Sequence, residues 1–254
     1  MGTYALTGSA SGIGAALSAS LANAGHTLVT VDIRDADVIA DLTTPQGRQA
    51  AVSAVLEQAP GGLDGLIPLA GLGGGSAPDE LITRLNYFGT VEFVEGLRPA
   101  VASRRGAIVL LCSNSAPMDV VDDAFLASLL DGDEDKALEL SAQIIPGTHY
   151  MQTKRAVNYW MRRNAMAYGR DGIRMNGVAP GPTITPMTKP LFESEEYAPV
   201  MAALLAQTPI ERAAEAEEIA SCIEFLLSPA ASYVHGSLLF VDGGYDAHAR
   251  QDHI

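Results

Sequence analysis

The sequence predicts one α/β domain over residues 1–254, a doubly wound parallel sheet flanked by helices. Three observations predict it. Thr3–Thr7 is strand-like, Gly8 to Gly14 is a glycine-rich turn, and a helix-like run follows from Ala15. Strand, glycine turn and helix is the context in which such a turn places backbone amides at the positive end of a helix. Strand-like and helix-like stretches then alternate to the end of the chain, with no internal repeat. Finally, Gly106 to Leu111 is an apolar strand followed by Cys112 and Ser113, and ligands of open parallel sheets bind at that carboxyl end.

Composition narrows the function. Hydrophobic residues make up 48% of the 254-residue chain, enough for a substantial core. The formal net charge of −14 argues against a nucleic-acid partner, because nothing is left over to neutralise phosphates. Cys112 and Cys222 form no CxxC, and the five histidines are scattered, so no metal site is expected. No signal-peptide pattern and no apolar run of ~18 residues is present. A cytoplasmic protein without a membrane partner is the expectation.

Taken in order, the second strand runs from His26 to Val31 and ends at Asp32, where a carboxylate can accept hydrogen bonds from ribose hydroxyls and repel a 2′-phosphate. Arg34 nearby is the competing signal for the phosphorylated cofactor. Val38 to Leu42 is a third strand, too close to the second for a helix between them. Thr44 caps a helix with Pro45 at its first position, and Pro60-Gly61-Gly62 ends it. Leu63 to Ala70 is the fourth strand, followed by Gly71 and the flexible Gly73-Gly74-Gly75, and a long helix over 79–103 carries Asn86. Residues 116–148 break the rhythm: apolar spacing at Phe125, Leu126, Leu129, Leu130, Leu138 and Leu140 predicts one or two inserted helices. The acidic run Asp131, Asp133, Glu134 and Asp135 reads as solvated. A helix follows to about Tyr168, in which Trp160, Met161 and Met166 read as core or interface. Then come a strand over Ile173 to Val178, a long segment over 182–207 with the proline content of a mobile loop over a ligand, a helix over Ala214 to Leu227, and a last strand over Ser237 to Val241.

Tyr150-Met151-Gln152-Thr153-Lys154 is the candidate chemical centre. Positions i and i+4 share a helix face. A phenol titrates near ~10, and a neighbouring cation favours its ionised form, which would make Tyr150 a usable acid and base. Taken alone, such a pair is more commonly a surface pair.

The set as a whole resembles the classical short-chain dehydrogenase/reductase family. Thr7-Gly8-Ser9-Ala10-Ser11-Gly12-Ile13-Gly14 is similar to its TGxxxGxG cofactor turn. Asn86-Tyr87-Phe88-Gly89, Ser113, and Tyr150 to Lys154 are similar to its Asn, Ser and YxxxK active-site positions, with Ser115 as a competitor for the serine. Asp41 matches an adenine contact, and Asn176, Pro180-Gly181 and Thr185 match a later cofactor-contacting stretch. The resemblance implies a Rossmann-type fold, the catalytic set Asn86, Ser113, Tyr150 and Lys154, and NAD rather than NADP as cofactor. Asn86 would position a water linking Lys154 to solvent. The implied cofactor-binding set is Gly8, Ser11, Gly12, Ile13, Gly14, Asp32, Ile33, Asp41, Leu42, Ala70, Gly71, Tyr150, Lys154, Pro180, Gly181, Thr183, Ile184 and Thr185.

There are departures. The family's Asn-Asn-Ala-Gly is Pro68-Leu69-Ala70-Gly71 here. The short second crossover, the insert and the ending Ser228-Pro229-Ala230-Ala231-Ser232-Tyr233-Val234-His235-Gly236 resemble the branch that contains bacterial 3α-hydroxysteroid dehydrogenase/carbonyl reductase. With apolar Ile184, Met187, Leu191, Phe192 and Met201 in the 182–207 segment, the expected substrate is a small hydrophobic alcohol or ketone, such as a hydroxysteroid or a cyclic or aromatic carbonyl compound. The alternative on the same fold is a non-catalytic dinucleotide-sensing protein. The insert would cover a helical interface that relatives use for tetramers, so a homodimer through Ala214 to Val241 is expected, a tetramer being the other possibility.

Overall fold

A computed structural model describes residues 1–74, 77–117 and 121–252 of the chain. The elements are β1 (Thr3–Thr7), α1 (Gly12–Asn23), β2 (Thr27–Asp32), β3 (Val38–Ile39), α2 (Pro45–Gln58), β4 (Gly65–Pro68) and α3 (Asp79–Thr83), which continues through a π-helical turn (Arg84–Gly89) into α4 (Thr90–Arg104). Then come β5 (Ala107–Leu111), α5 (Asp123–Leu130), α6 (Glu134–Ser141), α7 (His149–Arg170), β6 (Arg174–Pro180), β7 (Thr183–Ile184), α8 (Lys189–Glu193) and α9 (Ala198–Ala206). β8 (Ala214–Glu215), α10 (Ala216–Leu227), a 3₁₀ turn (Pro229–Ala231), β9 (Leu238–Val241) and α11 (Tyr245–Ala249) complete it.

Seven strands form one parallel sheet in the order β3-β2-β1-β4-β5-β6-β9. The order reverses between β1 and β4, so the crevice for a ligand lies beyond their carboxyl ends. Side chains alternate across the strands, and the two faces bury separate cores. Ala5, Leu66, Ile108 and Leu110 pack under α2, α4 and α7, whereas Leu6, Ile67, Val109 and Val178 pack under α1 and α10.

Local chemistry explains the element ends. The Thr44 hydroxyl accepts from Gly47 N at 3.0 Å, with Pro45 at the first position of α2, as expected of a cap. β3 is shorter than the sequence suggests, because only Val38 and Ile39 pair with β2 before the chain turns toward α2. The long helix carrying Asn86 is compound, with the π turn at its centre. The 182–207 segment is largely structured, with β7 paired to β8 and two short helices, rather than an extended loop. Of the three glycines after β4, Gly75 lies outside the described residues.

The insert is two helices, as its apolar spacing indicates. Phe125, Leu126, Leu129 and Ala137 join the core that α7 covers. The acidic run between and within them is only partly solvated. Asp131, Asp133 and Asp135 are exposed, Asp133 also capping α6 by accepting from Lys136 N at 2.9 Å. Glu134 is turned inward onto Arg48 and Arg84, with its side chain 17% exposed. No helix among the described residues is long and apolar enough to cross a membrane.

Candidate active site

A cavity of about 780 Å³ opens over the carboxyl ends of the strands. At one end is the glycine turn. Gly8 has φ +71°, a conformation that favours glycine, and a Cβ there would stand 2.7 Å from Ala70 N. A Cβ on Gly14 would stand 2.0 Å from Gly8 O, so the helix start and the turn pack backbone on backbone. Asp32 closes this end: its Oδ2 accepts from Ala10 N at 3.0 Å and its Oδ1 from Ile33 N at 2.7 Å, which ties the turn to β2. Opposite, Thr185 lies over Gly12, whose Cβ would meet the threonine Cβ at 3.2 Å.

Ser113 and Tyr150 line the same cavity. Ser113 follows β5 on a segment whose Cys112 N and Asn114 N donate to Val178 O (2.8 Å) and Pro180 O (3.1 Å) of β6. The ladder thus continues past the strand end and fixes the serine. Tyr150 sits in the first turn of α7, where Ser113 acts on its phenol to lower its pKa. Ser113 Oγ is also 2.9 Å from Ser115 Oγ and accepts from Ser115 N at 3.2 Å. Ser115 therefore orients Ser113, which is the serine in contact with the phenol.

Lys154 is 3% exposed and does not line the cavity; its Nζ donates to Leu111 O at 2.8 Å and lies 5.9 Å from the centre of the Tyr150 ring. The expected lowering of the phenol by Lys154 is not among the causes that act on it. Burial pushes the Tyr150 phenol above its ordinary value, and the hydrogen bond from Ser113 is what draws it back. Burial also pulls the Lys154 ammonium down to about 8, with the Cys112 thiol acting weakly the other way. Asn86 stands behind the cavity as well. Its Oδ1 accepts from Leu72 N at 2.8 Å and its Nδ2 donates to Leu72 O at 2.9 Å. Its amide is thus engaged with the backbone of the cavity wall.

Of the other expected cofactor contacts, Gly8, Ser11, Gly12, Ile13, Gly14, Asp32, Ile33, Asp41, Leu42, Ala70, Gly71, Pro180, Gly181, Thr183 and Thr185 line the cavity. Ile184 does not: strand alternation sends Thr183 and Thr185 inward and Ile184 to the other side of the β7–β8 pair. Asn176 is also apart, bonded through Nδ2 to Val234 O and through Oδ1 to Ser237 N, where it fastens β6 to the approach to β9. Among the apolar residues of 182–207, Met187 lines the cavity, whereas Ile184, Leu191, Phe192 and Met201 do not. Leu204 does, as do Leu72, Leu81, Leu85 and Met151, which sequence reasoning missed. The neighbours of Asn86 and Tyr150, Leu85 and Met151, were the available signal.

His149 is a packing residue. It is 1% exposed, donates through Nε2 to Ser141 O, and meets the Phe125 ring edge-on at 5.9 Å. Gln152 accepts from Asp122 N at 2.8 Å. The insert is therefore seated on the first turns of the Tyr150 helix.

Over 252 residues, covering 97% of both chains, the sequence is 38% identical to 3-alpha-hydroxysteroid dehydrogenase/carbonyl reductase of Comamonas testosteroni. The chain belongs to the short-chain dehydrogenase/reductase family. The family model described as Enoyl-(Acyl carrier protein) reductase matches residues 139–246. Cis-4-hydroxycyclohexanecarboxylate dehydrogenase of Sinomonas cyclohexanicum is 32% identical, with 95% of each chain covered. Among solved structures, 3-alpha-hydroxysteroid dehydrogenase from Pseudomonas sp. B-0831, complexed with NADH, superposes with a TM-score of 0.95 at 40% identity, covering 99% of this chain and 100% of that one. This short-chain dehydrogenase/reductase is thus an oxidoreductase with the family's seven-stranded parallel sheet.

Proposed function

We propose that the protein is an NAD(H)-dependent oxidoreductase that interconverts a secondary alcohol and a ketone on a hydrophobic substrate, with hydroxysteroids and cyclic or aromatic carbonyl compounds as the expected class. The observation that carries this reading is that Ser113 and Tyr150 stand on the wall of the same cavity that holds the glycine turn. Gly8 and Gly14 leave no room for a Cβ against the backbone of Ala70 and of Gly8 itself, a close strand-turn-helix packing that fits a dinucleotide pyrophosphate at the start of α1.

Gly8, Ser11, Gly12, Ile13 and Gly14 would hold the pyrophosphate, and Asp32 would hold the adenosine ribose and disfavour a 2′-phosphate. The bound dinucleotide supplies or accepts the hydride. The protein handles the oxygen. Tyr150 gives its phenolic proton to the oxygen during reduction and takes it back during oxidation. Ser113 keeps a donor where negative charge develops. Lys154, braced by Leu111 O, stands behind the phenol as a buried cation. Leu72, Leu81, Met151, Met187 and Leu204 give the wall its apolar character, which suits a hydrophobic substrate with one polar oxygen. The NADH complex and the hydroxysteroid activity named for the relatives support the same choice of cofactor and substrate.

The test is a screen of NADH oxidation and NAD reduction against steroid, cyclic and aromatic carbonyl/alcohol pairs, with NADPH in parallel. Turnover of such ketones with NADH favoured is expected. Efficient turnover of sugars or small hydroxy acids alone would overturn the substrate class, and a preference for NADPH would overturn the role of Asp32.

A further inference from the structure

We infer that Glu134, on the insert, is a positioning residue for the adenosine end of the dinucleotide site. The inference rests on the dinucleotide reading above. Glu134 gives one carboxylate oxygen to each of two guanidiniums: Oε2 accepts from Arg48 Nη2, and Oε1 accepts from Arg84 Nη1 at 2.7 Å. Arg48 is 2% exposed, so this is a charge taken almost wholly out of water. Its remaining partners are Glu92, at 2.7 Å from Nε, and the carbonyl of Leu42. A buried guanidinium depends on the two carboxylates that hold it, because removing either leaves a charge poorly compensated, while its contact to Leu42 O is long, at 3.5 Å.

Both guanidiniums lead to the cavity wall. Leu42 lines the cavity on the chain leaving β3, the edge strand paired with Asp32, so this is the Asp32 end rather than the Ser113 end of the sheet. Arg84 opens the π turn and precedes Leu85, which lines the cavity too. The two wall segments meet at Gly89, where a Cβ would stand 3.1 Å from Leu42 O and 3.2 Å from Leu85 Cδ1. The carboxylate of Glu134 therefore pins the segment after β3 and the π turn to each other from behind. The insert contributes this carboxylate; its other exposed pair, Lys136 with Glu139, reaches neither segment.

The consequence is specific to one end of the ligand. Loosening Leu42 and Leu85 should weaken NADH and ADP-ribose alike, while Ser113, Tyr150 and the carbonyl substrate at the other end are unaffected. Outer-layer partners of metal sites contribute roughly tenfold or more to affinity, and about tenfold is expected here.

The experiment measures dissociation constants for NADH, by its fluorescence, and for ADP-ribose, by calorimetry. It uses the full-length wild type, Glu134→Gln, Arg84→Gln and the control Lys136→Ala, with circular dichroism verifying the fold. Arg84→Gln leaves the buried Arg48–Glu134 pair in place, so it serves if Glu134→Gln does not fold. Expected are dissociation constants about tenfold higher for both ligands in both Glu134→Gln and Arg84→Gln, none in Lys136→Ala, and unchanged kcat and ketone KM at saturating NADH. Hydrogen exchange in residues 40–43 and 84–89 should rise in parallel. Unchanged NADH and ADP-ribose affinity, or an effect confined to ketone KM or kcat, would overturn the assignment. A wild type that binds neither ligand would instead overturn the dinucleotide reading itself.

Discussion

Tyr150 and Lys154, the proposed acid–base pair, respond to burial in opposite directions. Tyr150→Phe keeps the ring and removes the proton, so turnover should fall by roughly 10²–10⁴-fold with NADH affinity nearly unchanged; near-normal kcat would remove Tyr150 from its role. Lys154 is buried at a cost to folding. Its folded-state value, pulled down to about 8 from an ordinary 10.5, means that the unfolded chain binds the extra proton between those pH values. Stability therefore rises with pH across that window, and below about 8 the full penalty applies, on the order of 3 kcal/mol. Lys154→Met should thus raise the melting temperature at pH 7 without added ligand, flatten the rise toward pH 10 and abolish most turnover. A melting temperature that falls would show that the Leu111 hydrogen bond outweighs desolvation. Ser113 after β5 and Tyr150 at the start of α7 were legible in the sequence as residue types at a strand end and a helix start, and the structure brings both onto one cavity, with Lys154 behind them. Their energetics were not, because desolvation depends on what surrounds a group rather than on its neighbours in the chain. Asn86 and Asn176 show the same limit: both amides are consumed by backbone, Leu72 in one case and Val234 with Ser237 in the other.

Among the elements, the glycine turn was the most readable, since a strand, a turn without side chains and a helix must coincide for it to form. The contact between Gly14 and Gly8 O makes a direct test. Gly14→Ala places a methyl where 2.0 Å is available, against backbone that cannot rotate away. NADH binding should fall at least about tenfold, and unaltered affinity would mean that the turn is not the pyrophosphate cradle. The insert was legible as helices from its apolar period, and its burial follows: Phe125 is fully buried, against His149. Phe125→Ala should cost about 3–5 kcal/mol, measurable by denaturant unfolding. The inward turn of Glu134 was not legible, because a solvated acidic run and a carboxylate aimed at a buried arginine have the same sequence. The π turn around Asn86 was equally silent, as one extra residue in a helical turn leaves the apolar pattern almost intact.

For the whole molecule, the sheet and its switch point followed from the alternation of elements, because a parallel sheet needs a connection across its face after most strands. Association was harder to read, since an interface looks like any other partly apolar surface. The structure supplies the missing terms. The insert packs on α7 and α3 and covers part of the helical face there. At the other end of the sheet, β9 is an edge strand with all four residues half-buried. Phe225 on α10 and Tyr233 beyond it are 45% and 102% exposed. An edge strand, with exposed aromatic rings on α10 and after it, offers groups that a second copy can cover by a two-fold contact, each chain offering the same patch. A homodimer through α10 and β9 is therefore expected, with a mass near twice 26.6 kDa by light scattering. Phe225→Glu places a charge on each side of the axis and should give monomers that still bind NADH. A wild-type tetramer, or a dimer that Phe225→Glu leaves intact, would show that the chains meet elsewhere.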